Sequence, residues 1–263
     1  MVKGDYETVM PLPVKRKLGI KYIAQPIFTQ QLGIFSNSDD FFTLEEIIYV
    51  LKSNYFFGFL QFNAFFQNYS QNKIKVRENL ILKLNKPYSE IFSGFKPNHK
   101  RNIKKAQKYN LQIEHDISIQ VLKEFYRKVA WPEKYNLKEK HYQLLLRLIN
   151  GALINRSCEI VGAFHKGQLQ SIVIGLLFNK RLTYLFPITS DQGYDLGVQF
   201  FLVDELIKIY SGKGICIDFE GSSIEGVARF YKGFGAETEN YFQLRFNKNI
   251  LGELILRAIN YFS

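Results

Sequence analysis

The sequence predicts an α/β (α+β) chain built as two units in tandem, each a mixed central sheet flanked by helices. Three observations carry that expectation. With 263 residues, 46% of them hydrophobic, the chain can bury enough apolar surface for about two domains with cores of their own. Period-2 strand patterns and 3.6-period helix patterns alternate along it. The segment before a helix in the first half, Gln31-Leu32-Gly33-Ile34, is echoed before a helix in the second, Asp195-Leu196-Gly197-Val198.

The first half opens with strands at 6–12 and 22–25, broken by the basic turn Lys15-Arg16-Lys17-Leu18-Gly19. Thr43, with Glu46 three positions on, makes a capping box for a helix whose inward face is Leu44, Ile47, Ile48 and Leu51. Residues 55–66 are rich in aromatics, and their first half reads as a fully buried strand. These rings suit core packing better than stacking on bases or sugars. An alternating strand at 74–84 ends at Lys86-Pro87. Residues 96–109 then carry Lys96, Lys100, Arg101, Lys104, Lys105 and Lys108 and no acid. Asn98 fits an N-cap, with Ile103 and Ala106 turned inward. Lys100, Lys104 and Lys108 repel one another at i, i+4 spacing; a bound polyanion would relieve this, and a solvated face would tolerate it.

Helical patterns follow at 121–129 and 141–150, with Trp131-Pro132 as a terminator between them. Strands at 158–164, 169–178 and 181–188, joined by tight turns, form an antiparallel meander. A loop, 189–197, leads into a helix with Val198, Phe201, Leu202, Leu206 and Ile209 on one face. A buried strand at 215–217, the polar corner Asp218-Phe219-Glu220-Gly221-Ser222, a short helix ending in glycine and a strand at 241–246 complete the unit. Leu251, Leu254, Ile255, Ala258, Ile259 and Phe262 make an amphipathic C-terminal helix, read as a packing element because Arg257 is the one cation on its polar face. The expected division is 1–95, 96–246 and this helix at 247–263.

A net charge of +11 favours an anionic partner: a nucleotide cofactor, a phosphorylated substrate, RNA or an anionic membrane face. The apolar stretches are too short for a membrane span, and no secretory signal pattern opens the chain. Cys158 and Cys216 lie in apolar surroundings, which suits reduced thiols in a cytoplasmic protein. His99, His115, His141 and His165 show no ligand spacing, so no metal site is expected. Walker, Gly-x-Ser-x-Gly and dinucleotide signatures are absent from the sequence.

Meander, loop, helix, strand, helix, strand is also the order of the GCN5-related N-acetyltransferase (GNAT) fold. Ala228-Arg229-Phe230-Tyr231-Lys232-Gly233-Phe234-Gly235 resembles the late-helix motif of that superfamily. Two such units, a basic helix opening the second, and Gly226 with Phe230 and Phe234 resemble the FemAB family of peptidoglycan interpeptide-bridge aminoacyltransferases. The segment Gln25-Pro26-Ile27-Phe28-Thr29-Gln30-Gln31-Leu32-Gly33 and the corner from Asp218 to Ser222 resemble motifs of FemAB-related GNAT proteins. Three departures stand out. Against the resemblance, the first unit is expected to be short of its opening strand and helices, through either a misassigned start or a curtailed unit. Gln192-Gly193-Tyr194-Asp195-Leu196-Gly197 is only a distant version of the superfamily's phosphate loop, with Asp195 in place of its first glycine. Tyr231 follows Phe230 where FemAB proteins carry lysine, and Lys232 comes one later.

The corner collects acid/base groups at the carboxyl end of a strand, a common way to build a reaction site. The resemblance implies N-acyl transfer from acyl-CoA or aminoacyl-tRNA, held as a co-substrate with no permanent cofactor, to an amine-bearing acceptor such as a cell-envelope precursor. It implies Tyr231 as the acid that protonates the leaving group. Glu220, or else Asp218, would take the ammonium proton, Glu220 being favoured because Asp218 closes the strand and can cap the turn. Ser222 could donate to an oxyanion or cap the helix near Ile224. Arg229 and Lys232 could hold a phosphate or be solvated, and Gly197, Gly221, Gln30, Gln31, Lys100, Arg101 and Lys104 complete the expected binding set. Two non-catalytic alternatives remain: a GNAT-derived binding module for a nucleotide or RNA ligand, and a basic RNA-binding protein.

Overall fold

The computed structural model describes residues 1–37, 41–64, 66, 74–129, 138–221 and 224–248. In chain order the elements are β1 (Val2–Lys3), β2 (Thr8–Val9), β3 (Val14–Lys17), β4 (Ile20–Ala24), β5 (Phe35–Ser36), α1 (Leu44–Asn54), β6 (Phe57–Phe62) and β7 (Ile74–Lys83). They continue with α2 (Tyr88–Ser93), α3 (Pro97–Gln107), β8 (Gln112–Glu114), α4 (Ile119–Val129), α5 (Glu139–Ile154), β9 (Cys158–His165), β10 (Gln168–Phe178) and β11 (Arg181–Thr189). The last are α6 (Asp191–Leu196), α7 (Val198–Tyr210), β12 (Cys216–Asp218), α8 (Glu225–Lys232) and β13 (Glu237–Asn247).

The chain divides into two compact units, one of Met1–Glu78 with the described residues from Glu239 on, the other of Asn79–Thr238. The division falls inside β7 and β13, whereas the sequence places it after residue 95. Leu80, Leu82, Leu84, Ile91 and Phe95 all bury in the core of the second unit, so residues 79–95 pack there. The expected C-terminal helix and Trp131-Pro132 lie outside the described residues.

In the first unit, β3, β4, β6 and β13 are successive sheet neighbours, and β1, β2 and β5 form a small separate sheet. Strand β4 runs parallel to β6; β3 and β13 are antiparallel to their partners. The Thr43–Glu46 capping box starts α1, which buries Leu44, Ile47 and Leu51 against Ile23, Leu60 and Phe62. Phe62 and Phe66 stack at 4.4 Å, so these aromatics of the 55–66 run serve the core. Two expectations need correction. Residues 6–12 hold only the two-residue β2, since Pro11 and Pro13 lack the N–H a ladder requires. Lys15-Arg16-Lys17 belong to strand β3, and the turn is Leu18-Gly19 alone.

In the second unit the sheet order is β7-β12-β11-β10-β9-β8, with β11 and β12 its parallel pair. Alternation puts Val161, Ala163 and Val173 on the face that packs with Ile103 of α3 and Leu202, Val203 and Leu206 of α7. Against the sheet also pack α4, on β11, and α5, on β9. Strand β12 pairs with β11 only at Cys216, Ile217 and Asp218, opposite Arg181, Leu182 and Thr183. Beyond that point β11 runs on to Thr189 while the other chain turns away, which opens the strand order at one end. The segment 189–197 is not a plain loop: Ser190 caps a six-residue helix, α6. Helix α3 starts with Pro97 at its first turn and Lys96 as N-cap; Asn98 lies inside it, accepting from Arg101. Cys158 and Cys216 are half-buried and are not joined in a disulfide. Among the described residues no helix is long and apolar enough to cross a membrane.

Candidate active site

Asp218 is the last residue of β12 and is 6% exposed. Its Oδ1 accepts from Asn79 Nδ2 at 2.9 Å and from the Glu220 backbone N–H at 2.8 Å, and its Oδ2 accepts from Arg181 Nε at 2.6 Å. A carboxylate bonded to the amide two residues on is an Asx turn, which mimics a backbone turn and reverses the chain. Glu220 and Gly221 accordingly sit at φ +54° and +59°. The left-handed region costs a residue with a side chain about 1 kcal/mol, and such strain gathers at functional sites. Asp218 is thus the anchor of the corner, with both oxygens engaged.

Glu220 is in a different state. Burial, and then the charge of Asp218 beside it, pushes its carboxyl from 4.5 up to about 7. That places its proton exchange at neutral pH, where a general base works best.

Tyr231 projects from α8 into the aromatic core. Its ring stacks on Phe219 at 4.2 Å and 13° and meets Tyr184 edge-on at 6.0 Å, and it is 6% exposed. Ile217 and Phe219 share this buried cluster, while Asp218, between them, bonds to Arg181 and Asn79. By strand alternation Tyr231 therefore lies on the Phe219 side of β12 and Asp218 on the other. The Glu220 carboxyl lies close enough to Asp218 to feel its charge. Tyr184 also donates to Gln199 of α7, which in turn donates to Ser171 Oγ, tying the first turn of α7 to the sheet.

The basic helix α3 is fastened to α8 by a residue the sequence reading set aside. His99 is 4% exposed, and its Nε2 lies 2.7 Å from the Phe230 carbonyl oxygen, so Nε2 carries the proton and donates. Its ring is enclosed by Phe200, Phe230 and Phe234, and burial holds its pKa below the usual value. A Cβ at Gly233 would fall 1.8 Å from this ring, so only glycine fits there. No local motif marks His99; the aromatic spacing of Phe230 and Phe234 against a lone histidine in a cationic helix was the available signal.

The cations of α3 are not equivalent. Lys100 donates to the Ser93 carbonyl, Arg101 bonds to Asn98, and Lys105 donates to the Asp195 carbonyl. Arg101, Lys104 and Lys108 are exposed, as are Arg229 and Lys232 of α8. Gly197, at φ +72°, joins α6 to α7. The amide of Gly193 bonds to Ser190 Oγ, that of Tyr194 to the Ser190 carbonyl, and that of Gly197 to the Tyr194 carbonyl. Ser222 lies outside the described residues, and Ile224, at the N-cap of α8, makes no side-chain cap.

Gln30 and Gln31 belong to the first unit. Gln31 donates to Gln30 Oε1 and accepts from the Ala64 amide, and Gln25 donates to the carbonyls of Thr29 and Gln30, so this segment is braced against β6 and its end. A hollow of about 730 Å³ in the same unit is lined by Glu45, Ile48, Tyr49, Lys52, Ser53 and Lys248 and contains none of the expected site residues. No group of histidine, cysteine, aspartate or glutamate among the described residues is placed to hold a metal ion.

No protein-family model and no curated protein matches the sequence. Solved structures match the fold. FemX is 12% identical, with a TM-score of 0.64 over 97% of this chain and 88% of that one. L-PGS from Bacillus licheniformis is 10% identical, with a TM-score of 0.57 over 97% and 87%. A conserved protein of unknown function from Bacteroides thetaiotaomicron is 13% identical, with a TM-score of 0.55 over 85% and 79%. The chain therefore has a FemAB-like, GNAT-type fold, the α/β architecture that its motifs resemble.

Two outcomes follow for stability. Glu220 is protonated more readily folded than unfolded, so its protonation favours the fold fully below pH 4.5, and this contribution is lost as pH rises through about 7. Glu220→Gln should match the wild type in melts at pH 4 and exceed it at pH 8, by on the order of 3 kcal/mol. Gly233→Ala should cost about 3 kcal/mol by overpacking, and His99→Ala in that background should recover part of the loss.

Proposed function

We propose that this chain is an N-acyltransferase that moves an acyl or aminoacyl group from acyl-CoA or aminoacyl-tRNA to an amine. The observation that carries the reading is Glu220: a carboxyl with its pKa near 7, on the turn after a central strand that parts from its parallel neighbour, in a fold shared with FemX. In this reaction the acceptor arrives as an ammonium, and Glu220 removes a proton. The freed amine attacks the donor carbonyl, the N–C bond forms, and the C–O or C–S bond to the carrier breaks. Tyr231 supplies the proton that the leaving oxygen or sulfur takes, and the second proton shed by the nitrogen as the amide forms restores the phenol. Asp218, with both oxygens engaged, acts as a positioning residue.

The exposed cations Arg101, Lys104 and Lys108 on α3 and Arg229 and Lys232 on α8 suit the polyanionic part of the donor. Internal bonding of the Gly193, Tyr194 and Gly197 amides leaves those three little to offer a pyrophosphate, and Asp195 adds a repelling charge, which favours tRNA over CoA. The resemblance to FemAB proteins favours a cell-envelope precursor as acceptor. A second reading, a binding module without catalysis, draws on the burial of Tyr231 in its aromatic stack.

Steady-state kinetics distinguish them. The kcat/KM should rise with pH to a plateau through an apparent pKa near 7. Glu220→Gln should abolish that limb and lower turnover by about a hundredfold or more, as should Tyr231→Phe for turnover. Near wild-type rates in both variants would remove these roles. Melts with acyl-CoA, with aminoacyl-tRNA or with nucleotide-linked envelope precursors should reveal the donor and acceptor, a ligand at a hundred times its Kd adding about 2.7 kcal/mol. Stabilisation without transfer would leave the binding module.

A further inference from the structure

We propose that the β3–β4 hairpin of the first unit is a docking element for an anionic lipid surface, inserting Leu18 at the headgroup boundary while Lys15, Arg16, Lys17 and Lys21 meet anionic headgroups.

Strand β3 is the outer strand of its sheet, and all four of its residues are exposed. Residues 14–21 contain four cations and no acid. Among the described residues, none of the four cations has an acidic partner. Arg16 stands directly opposite Lys21 in the register, a like-charge pair that opposes hairpin formation. Charged residues, lysine above all, guard an edge strand against pairing with another chain, and β3 carries three cations in a row.

The tip makes the case specific. Leu18 and Gly19 form a two-residue turn with φ +49° and +77°, a geometry that favours Asn-Gly. Leucine is a poor choice for the left-handed position and is 92% exposed there, so neither the turn nor the core accounts for it. An aliphatic tip ringed by cations is the chemistry of interfacial membrane binding. RNA would instead call for exposed rings to stack on bases. The hairpin's one aromatic residue, Tyr22, is already stacked on Phe57 at 5.1 Å.

The test is co-sedimentation of the full chain with phosphatidylcholine vesicles, with and without phosphatidylglycerol. Wild type should bind the anionic vesicles, less so as salt rises, and leave the neutral ones. Neutralising Lys15, Arg16 and Lys17 to glutamine should weaken that binding about a hundredfold. Leu18→Asn should weaken it about tenfold while the melting temperature holds or rises, because asparagine tolerates the turn; unfolding then cannot explain the loss. Vesicle binding unchanged in both variants would overturn the proposal. So would equal binding to neutral vesicles, or variants that lose tRNA binding while keeping vesicle binding.

Discussion

The three bonds to Asp218 are the constraint on which the candidate site depends. Strand β12 is three residues long, and its parallel pairing ends at Asp218. With Arg181 and Asn79 holding one buried carboxylate and the Glu220 amide completing it, the chain has one way to turn. That turn sets Glu220 in a left-handed conformation close to a buried negative charge. Two acids two positions apart thereby take opposite parts. The first is satisfied by donors, and the second is held near neutrality by burial and by its neighbour. Environment, rather than residue type, separates them.

A second coupling runs through helix α8. Phe219, between the two acids, stacks on Tyr231, and the carbonyl of the adjacent Phe230 receives the proton of His99 from α3. The cationic helix is thus locked to the helix that carries Tyr231 by a histidine enclosed in three phenylalanine rings, with Gly233 leaving the space it occupies. A neutral His99 suits this enclosure, since a charged one would lose solvation that the rings replace only in part.

Much of the second unit was legible because its signals are local. The meander, helix α7 and the glycine that ends α8 follow from period, turn residues and capping chemistry, and the capping box of α1 is formed as written. The misses have distinct causes. Asn98 looks like a cap, but Pro97, with its preset backbone and missing donor, begins the helix two residues earlier than such a cap would, with Lys96 as the N-cap. The six residues of α6 read as loop because their helix is too short for an apolar period and depends on Ser190. Lys15 to Lys17 read as a turn on charge, although the left-handed backbone needed for the reversal falls at Leu18-Gly19.

Residue types and short spacings, by themselves, determined the α/β class, the net positive charge, the cationic face of α3 and the crowding of acids after β12, because each rests on contacts within a few positions. Only the tertiary structure decided which acid is anchored and which is poised. Arg181 and Asn79 reach Asp218 from positions 37 and 139 residues away, and no local pattern encodes such pairings. The same holds for His99 and Phe230, 131 residues apart. Burial, and then the charge of Asp218, raises the proton affinity of Glu220, and that burial comes into being only when the sheet is assembled.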